Sequence, residues 1–394
     1  MSARLRVLEL ERRARPSAVM RIASPLLAAA AMLATGFVVF LLLGKDPAEA
    51  FYVFFIKPVA NRYGVGELLL KATPLALCAL GLAVGFRANV WNIGAEGQLT
   101  MGAIAGSGVA LYLGPTEAAW VLPLMLLAGV LGGMAWAAIP AFLRTRFHTS
   151  EILVTLMLVY IAQLFLSYLV HGAWRDPAGY NFPQSRAFTE AETLPLLLEG
   201  SRVTIAAVFA VALAAASWFF SQKTFAGFRM QVAGLAPAAA AYAGFSEKRN
   251  IWLALLLSGA TAGLAGISEV AGPIGQLQPT VSPGYGFAAI IVAFVGRLHP
   301  LGIILASLLM SLLYLGGESA QMQMSLPSAV TGLFQGVLLF YLLAADLFIN
   351  FSLRRGPRRA TDDEDDAYTP EDESETEIGG VPVSAPTLAP GKLT

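Results

Sequence analysis

The chain has 394 residues, of which 56% are apolar and 13% are charged, and its mean hydropathy is +0.65. Soluble globular domains carry about 25% charged residues, so this composition excludes an ordinary soluble enzyme, a disordered chain and a nucleic-acid-binding protein. The formal net charge of zero hides an asymmetry, because ten of the 26 acidic side chains lie in residues 362–377. The apolar residues gather in blocks of about 17–25, the length that crosses about 30 Å of hydrocarbon, which predicts a polytopic membrane protein.

The N-terminal segment, residues 1–21, is basic and contains six arginines. An uninterrupted apolar run from Ile22 to Leu43 follows it. The apolar region of a secretory signal peptide is usually about 7–15 residues long, so this longer run predicts a first transmembrane helix. We therefore expect 1–21 to be a cytoplasmic N-terminus and 22–350 to be the transmembrane domain.

Ten apolar segments predict an all-α bundle of about ten spans, with eight as the lower bound because several segments are short. Clusters of basic residues favour the cytoplasmic side of a membrane. Ten crossings place most of these clusters on one side and both termini in the cytoplasm. The predicted spans are 22–43, 67–86, 97–113, 118–143, 150–170, 203–220, 250–271, 285–296, 301–316 and 328–348.

Glycine and proline interrupt two regions, 86–106 and 272–302. Because freed backbone groups at membrane depth must be buried in protein or line a wet cavity, broken or re-entrant helices often mark the path of a solute. Other glycines recur at helical spacing, which predicts close helix packing. These glycines are Gly81 and Gly85, Gly102 and Gly106, Gly129 and Gly133, and Gly259, Gly263 and Gly266.

Residues 89–98 (NVWNIGAEGQ) place Asn92, Glu96 and Gln98 between two apolar spans. An ionisable side chain within a membrane needs a partner or a water-filled cavity, so this cluster is a candidate for the solute path. The alternative is a purely structural turn, in which Glu96 pairs with Arg87 or caps the start of a helix.

A second informative stretch is the loop 227–245 between two predicted spans. Gly234 breaks the chain, Pro237 suits the first turn of a helix, and the alanines that follow favour helix until Gly244. This pattern predicts a short cytoplasmic helix that docks on a partner. A plain interfacial helix resting on lipid is the alternative, although an alanine face anchors weakly.

The remaining features argue against chemistry in this chain. There is no phosphate-binding loop, nucleophile elbow or zinc motif, and the three histidines show no metal-ligand spacing. The single cysteine, Cys78, is predicted to be a small buried apolar residue. Residues 351–394 turn basic and then acidic, which predicts a disordered cytoplasmic tail; the acidic run 362–366 is interpreted as a solvated charge run and not as a magnesium site.

The signature at 86–98, ending in Asn-Ile-Gly-Ala-Glu-Gly-Gln, resembles that of bacterial ABC importer permeases of the branched-chain amino acid/ribose/nucleoside superfamily, and most closely their nucleoside or simple-sugar branch. Supporting stretches are 149–152 (TSEI), the loop 234–244, 285–287 (YGF) and 295–302. The resemblance covers roughly residues 25–350, and the acidic tail, Met230 and Phe245 depart from it.

The resemblance implies a multi-pass permease of the bacterial cell membrane that imports a nucleoside or related small polar solute by alternating access and is not an enzyme. Its implied partners are an ABC ATPase, a second related permease and an extracytoplasmic solute-binding lipoprotein, with lipid around it and no nucleic acid. ATP and magnesium would bind to the ATPase, so this chain would hold no cofactor or metal. The coupling helix to the ATPase would be formed by Gly234, Pro237, Ala238, Ala239, Tyr242 and Gly244.

Candidate residues of the solute path follow from the two broken regions. Three aromatic side chains could stack on a base or a sugar, although packing within the protein is the alternative role for each. The runner-up function is an ion-coupled secondary transporter that uses Glu96 or Glu269 as its ion site. The candidates are the polar residues Asn92, Glu96, Gln98, Glu269, Gln276 and Gln278 and the aromatic residues Trp91, Tyr285 and Phe287.

Overall fold

The computed structural model describes the backbone of residues 7–12, 18–198 and 200–356, and the side chains of residues 23, 24, 26–198 and 200–345. The chain divides into two units, residues 14–350 and a unit formed by the two ends. In the latter, strand β1 (Val7–Arg12) pairs antiparallel with β2 (Phe351–Gly356), so that Val7 lies opposite Gly356. Strand β2 begins the predicted disordered tail, whose remainder, 357–394, lies outside the described residues.

The unit 14–350 is a helix bundle, which confirms the all-α prediction for the membrane domain. A helix covers each of the ten predicted spans. They are α1 (Ala18–Leu42), α3 (Arg62–Arg87), α4 (Ala95–Leu113), α5 (Val121–Phe147), α6 (Glu151–His171), α7 (Ala206–Lys223), α10 (Glu247–Glu269), α11 (Tyr285–Val295), α12 (Pro300–Met324) and α13 (Ala329–Asn350). Three short helices join them: α2 (Pro47–Phe51), α8 (Phe225–Leu235) and α9 (Pro237–Tyr242).

Within the described residues, six helices are long and apolar enough to cross a membrane. They are α3, α5, α6, α7, α12 and Glu247–Ile274, which is α10 with its π-helical extension. The apolar parts of α1, α11 and α13 are shorter, and α4, with 19 residues, is not among the six. The described residues therefore contain six helices that qualify as candidate membrane spans, and the count of ten stays a prediction.

Helices α3 and α10 form the centre of the bundle, because 83% and 67% of their most apolar windows are buried inside the protein. Only 22% and 28% of the similarly apolar windows of α5 and α6 are buried, as expected for helices that face lipid. Cys78 is buried in α3, as predicted.

Glycines allow the central helices to approach one another. A Cβ added at Gly102 in α4 would collide with the backbone of Gly263 in α10, and one at Gly133 in α5 would collide with Gly259 of α10. A Cβ at Gly266 would collide with the carbonyl of Leu99. The small residues that the sequence spaces at helical intervals thus lie at the crossings of α4, α5 and α10, which confirms their predicted packing role.

Candidate solute path and coupling segment

The turn between α3 and α4 is a closed network of buried polar groups. The Asn92 side-chain amide donates to Oε1 of Gln98 at 2.9 Å and to Oγ of Ser258 at 2.8 Å. Its oxygen accepts from the backbone N–H of Gly94 at 2.9 Å. Asn92 and Gln98 are both almost fully buried, so the structure brings these two predicted residues together and pairs them with each other and with α10.

Glu96 lies in the first turn of α4 and contacts the beginning of α11. Its Oε2 accepts from the backbone N–H of Gly286 at 2.7 Å. A Cβ at Gly286 would collide with the backbone nitrogen of Glu96, so only glycine permits this approach. A carboxylate at a helix N-terminus is favourable because it accepts from free N–H groups at the positive end of the helix dipole. Glu96 therefore caps a helix, as the structural alternative states, and Arg87 instead donates to the carbonyl of Leu298.

Trp91 packs within a small aromatic cluster at the inner end of α11. Its ring stacks on that of Phe294, with centroids 5.8 Å apart, and tilts against that of Phe86 at 5.2 Å. Its indole N–H donates to Asn89, and its backbone N–H donates to Glu151 at 3.3 Å. The cluster thus ties the turn after α3 to both α6 and α11.

The segment between α10 and α11 runs from the outer side into the bundle. Gln276 donates to Gln184 at 2.9 Å, and the backbones of Leu277 and Ser185 are hydrogen-bonded. Helix α11 then begins beside Glu96, and its 11 residues extend only about 16 Å, half of the hydrocarbon thickness. Residues 278–284 therefore reach the middle of the bundle without forming a helix.

This non-helical segment is exposed on one side. Pro279, Thr280 and Pro283 are exposed, and Phe287, in the first turn of α11, is 37% exposed. Tyr285 is buried and contacts Tyr314 edge to face at 5.6 Å. Of the three candidate aromatic residues, Phe287 is thus the most open, whereas Trp91 and Tyr285 pack against other rings.

Glu269 lies at the outer end of α10 and is buried. Lys71 and Arg202 are the basic side chains whose charges act on it. It makes neither an ion pair nor a side-chain hydrogen bond with the described residues. Among the described residues, no hydrogen bond joins it to Asn92, Gln98 or Ser258.

The predicted coupling residues 234–244 lie at the end of α8, in α9 and directly after it, and we call residues 225–244, which include both helices, the coupling segment. Thr224 caps α8 by accepting from the N–H of Gly227 at 3.1 Å, and Pro237 begins α9. In α9 only Ala240 is buried, and Tyr242 is 97% exposed. The candidates of α9, and Gly244 after it, thus form an exposed small-residue surface with one large side chain.

Gly234 connects the coupling segment to the signature turn. A Cβ at this position would collide with the carbonyl oxygen of Arg87, so the end of α8 lies directly on the end of α3. Between α9, α10 and this turn lies a groove of about 120 Å³, whose lining includes Asn89, Pro237 and Ala240. The coupling segment therefore contacts the end of α3 through α8, and the groove lies between α9 and the turn.

A buried polar contact behind α8 was not predicted. The Nε of Arg229 donates to Oδ1 of Asn250 at 2.9 Å, while a guanidinium nitrogen of Arg229 and the amide nitrogen of Asn250 have no partner among the described residues. Burial, together with the charge of Arg249, lowers the pKa of Arg229 from its ordinary value. The available signal was a basic residue within a segment that otherwise consists mainly of small and apolar residues.

Two charged pairs that involve α3 were also missed. Lys71 in α3 pairs with Glu318 in α12 at 2.8 Å, and Arg202 lies 3.5 Å from Glu67 of α3. The rarity of charges inside apolar helices was the available signal. Their pairing joins residues that are far apart in the sequence, which spacing does not reveal.

An ion pair stabilises the outer loop that supports the segment after α10. Both guanidinium nitrogens of Arg186 donate to the Glu192 carboxylate, at 2.9 and 2.8 Å. Burial raises the pKa of Glu192, but the bonds from Arg186 and from the N–H of Thr189 outweigh it, so the pKa lies below its ordinary value. The same loop pairs with Ala271, Gly275 and Leu277 through backbone hydrogen bonds.

Comparison with known proteins identifies the family of the chain. Residues 64–343 match the family described as the permease component of branched-chain amino acid transport systems. The chain belongs to this permease family. No solved structure matches it.

Similar proteins include sugar and nucleoside permeases. A glucose ABC transporter permease of Haloferax volcanii is 36% identical over 86% of this chain and 92% of its own. A guanosine ABC transporter permease of Bacillus subtilis is 30% identical over 82% of this chain and 92% of its own. A second guanosine ABC transporter permease of Bacillus subtilis is 31% identical over 62% of this chain and 78% of its own.

Family membership establishes the class of protein. This permease is a multi-pass membrane subunit and not an enzyme, and its family works in ATP-driven importers with ATPase and binding-protein partners. The family match favours this role over the ion-coupled transporter that the intramembrane acids alone would allow.

Proposed function

We propose that this permease forms the gate through which an ATP-driven importer moves a nucleoside or a related small polar solute. It would work by alternating access in the cell membrane of a bacterium, with ten spans and both termini in the cytoplasm. The observation that carries the proposal is the exposed non-helical segment 278–284, which leads to the half-helix α11. The proposed path residues are Trp91, Asn92, Glu96, Gln98, Glu269, Gln276, Tyr285 and Phe287.

Exposed irregular backbone at membrane depth supports a path at this place. Lipid cannot satisfy free backbone N–H and C=O groups, so such a segment must line a water-filled cavity or contact another protein. Pro279 and Thr280 are exposed, and neither belongs to a helix that could face lipid. In this proposal Phe287 contacts the solute directly, while the network of Asn92, Glu96 and Gln98 holds α11 in position.

The exposed surface of α9 supports a contact with the ATPase. Helix α9 has little apolar surface of its own to bury in lipid. Its small side chains would allow it to lie close against a groove on the surface of the ATPase. We propose that a movement of α9 reaches the path through Gly234 and the end of α3, and then through Trp91 and Phe294 into α11. ATP and magnesium bind only to the ATPase in this mechanism.

The partner chains follow from the same proposal. Two different guanosine permeases of one bacterium resemble this chain, which supports a heterodimer of two related permeases. An extracytoplasmic binding lipoprotein would deliver the solute and supply most of its selectivity, which agrees with the few polar groups exposed along the segment 278–287.

The decisive experiment uses the whole complex, with the ATPase and the second permease, in lipid nanodiscs. ATP hydrolysis is measured with the binding protein loaded with a nucleoside, loaded with glucose, or empty. We expect the nucleoside-loaded protein to stimulate hydrolysis several-fold over the empty one. Stimulation only by the glucose-loaded protein would show that the solute is a sugar and not a nucleoside. Stimulation by neither loaded protein would contradict both assignments of the solute.

A second experiment tests the coupling segment. In the variant Tyr242→Ala, we expect binding of the ATPase to weaken or solute-stimulated hydrolysis to fall, because Tyr242 is the largest exposed side chain of α9. The matched control is Tyr168→Ala, since Tyr168 is also strongly exposed but lies on α6. Equal hydrolysis, uptake and ATPase binding in both variants would contradict a role for this side chain.

A further inference from the structure

An ion pair between two apolar helices lies in the outer half of the bundle. The Nζ of Lys71 in α3 is 2.8 Å from Oε1 of Glu318 in α12, and their side chains are 16% and 50% exposed. Lys71 lies nine residues into α3 and Glu318 lies six residues before the end of α12, which corresponds to about 13 and 9 Å along the helices. A half-exposed carboxylate at such a depth is costly if it faces hydrocarbon.

The exposed side of α12 changes character along its length. In the inner half, this side carries leucines, namely Leu301 and Leu305. In the last two turns the exposed side chains are Glu318, Gln321, Met322 and Gln323, of which Gln323 accepts from Lys57. A leucine surface suits lipid, whereas amide and carboxylate side chains suit water, so three of the four exposed side chains in these turns favour water over lipid.

Glu67 gives Lys71 a second carboxylate on the same face of α3. It lies one turn before Lys71, at the i, i+4 spacing at which side chains meet. One of its oxygens is 3.5 Å from Arg202, and the other, Oε1, is buried without a hydrogen-bond partner. An acceptor is therefore available to Lys71 whenever its bond to Glu318 is broken.

The ion pair is close to the proposed path. Tyr314 lies one turn before Glu318 in α12, and its ring contacts that of Tyr285 at the start of α11 edge to face at 5.6 Å. Helix α12 therefore connects the ion pair to the point at which the non-helical segment enters the bundle.

We infer that Lys71 and Glu318 line the outer half of the solute path, where the ammonium and carboxylate groups face water and bind the hydroxyl groups of an uncharged solute. This inference rests on the proposed function, because it extends the same path toward the outer side. One hydroxyl group of the solute can accept a hydrogen bond from Lys71, and another can donate one to Glu318. The solute can therefore replace the ion pair while both charged side chains keep a hydrogen-bond partner.

Water access to this face can be measured with cysteine variants, because the native Cys78 is fully buried. The variants Glu318→Cys and Gln321→Cys are treated in the assembled complex with a charged, membrane-impermeant thiol reagent, which reacts with thiolates in contact with water. The variant Gln321→Cys removes no charge, so Lys71 and Glu318 remain paired. The matched control is Leu127→Cys, since Leu127 is 53% exposed and lies six residues from the outer end of the apolar helix α5.

We expect both α12 variants to be labelled at least tenfold faster than Leu127→Cys, and we expect the unmodified chain to remain unlabelled. Solute delivered by the loaded binding protein should slow the labelling of Glu318→Cys relative to the empty protein. Labelling of both α12 variants as slow as that of Leu127→Cys would overturn the inference and indicate that this face is covered by lipid or by the second permease.

Solute contact is tested separately with the charge-exchanged variant Lys71→Glu/Glu318→Lys, which keeps an ion pair. We expect it to assemble but to lose several-fold in solute-stimulated uptake, because the donor and the acceptor exchange places. Full uptake would show that the ion pair only joins α3 and α12, and it would overturn the inferred contact with the solute. The labelling is measured whether or not a nucleoside is transported, so a wrong solute and a wrong path give different results.

Discussion

The turn at 88–98 and the segment at 275–287 both break the regularity of a membrane helix bundle, and they do so in opposite ways. In the turn, the side chains of Asn92, Glu96 and Gln98 are buried and hydrogen-bonded to protein. In the segment, prolines, Thr280 and Phe287 remain open on one side. The polar residues most visible in the sequence thus form a hydrogen-bonded clamp, namely Asn92, Glu96 and Gln98, while the proposed solute surface is built from less conspicuous residues.

The clamp and the open segment meet at a single backbone contact. Gly286 lies against the backbone of Ala95 and Glu96, so the position of the half-helix α11 depends on the turn. The roles of the two regions can therefore be separated with variants. These variants lie at this contact, in the clamp, in the open segment and in the loop that supports the open segment.

The largest effect is expected for Gly286→Ala. The added Cβ would collide with the backbone of Glu96, and backbone cannot rotate away, so we expect a loss of at least about 2 kcal/mol of stability. Thermal unfolding in detergent measures it. The control is Gly336→Ala in α13, where no atom lies within 4 Å of the new Cβ and stability should stay equal or rise slightly; equal behaviour of the two variants would contradict the contact.

Asn92→Ala is expected to have the next largest effect, because it removes the centre of the clamp. Gln98, Ser258 and the N–H of Gly94 each lose a partner, at roughly 0.6–1.5 kcal/mol per bond, so we expect a loss of about 2 kcal/mol. The same measurement on Thr280→Ala, in the open segment, should give a change below about 0.5 kcal/mol. A similar loss in both would remove the distinction between the two regions.

Phe287→Ala is expected to change transport more than stability. An exposed ring that stacks on a base contributes about 1 kcal/mol or more, so we expect solute uptake by the complex to fall about fivefold, with unfolding nearly unchanged. Phe287→Tyr keeps the aromatic face and should retain most of the uptake. Unchanged uptake in the alanine variant would assign this ring to packing against a partner.

The part of this architecture that could be predicted from sequence is the part set by local spacing. Gly102 and Gly263 each lie in a small-residue repeat of one helix, and the repeat alone indicates a packing face. Apolar run length located the ten predicted apolar helices, but α1, α4, α11 and α13 are not among the six described helices that are long and apolar enough to cross a membrane. The proximity of Asn92 and Gln98 follows from their separation of six residues around a turn.

Contacts between distant residues were beyond the reach of the sequence. Glu96 and Gly286 are 190 residues apart, and Lys71 and Glu318 are 247 residues apart. Their partners are decided by how α4 crosses α11 and how α3 crosses α12, which depends on the packing of the whole bundle. The sequence could only indicate that a charge within an apolar helix requires a partner, and Lys71 would have qualified on that ground.

The smallest effect concerns the outer loop that supports the open segment. Because Arg186 lowers the pKa of Glu192 in the folded protein, the pair stabilises the fold fully above the pKa of an unfolded glutamate, about 4.3. Its contribution is lost as the pH falls from there through the lower folded pKa. We expect Glu192→Gln to be less stable than the unmodified chain at pH 7 by about 1 kcal/mol, because Glu192 is buried while Arg186, whose side chain is 20% exposed, keeps part of its contact with water. The difference should shrink as unfolding is measured below about pH 4.3.

Glu190→Gln, in the same turn but outside the ion pair, should show no such convergence. A difference for Glu192→Gln that stays constant down to pH 3 would show that the pair does not stabilise the support of the open segment.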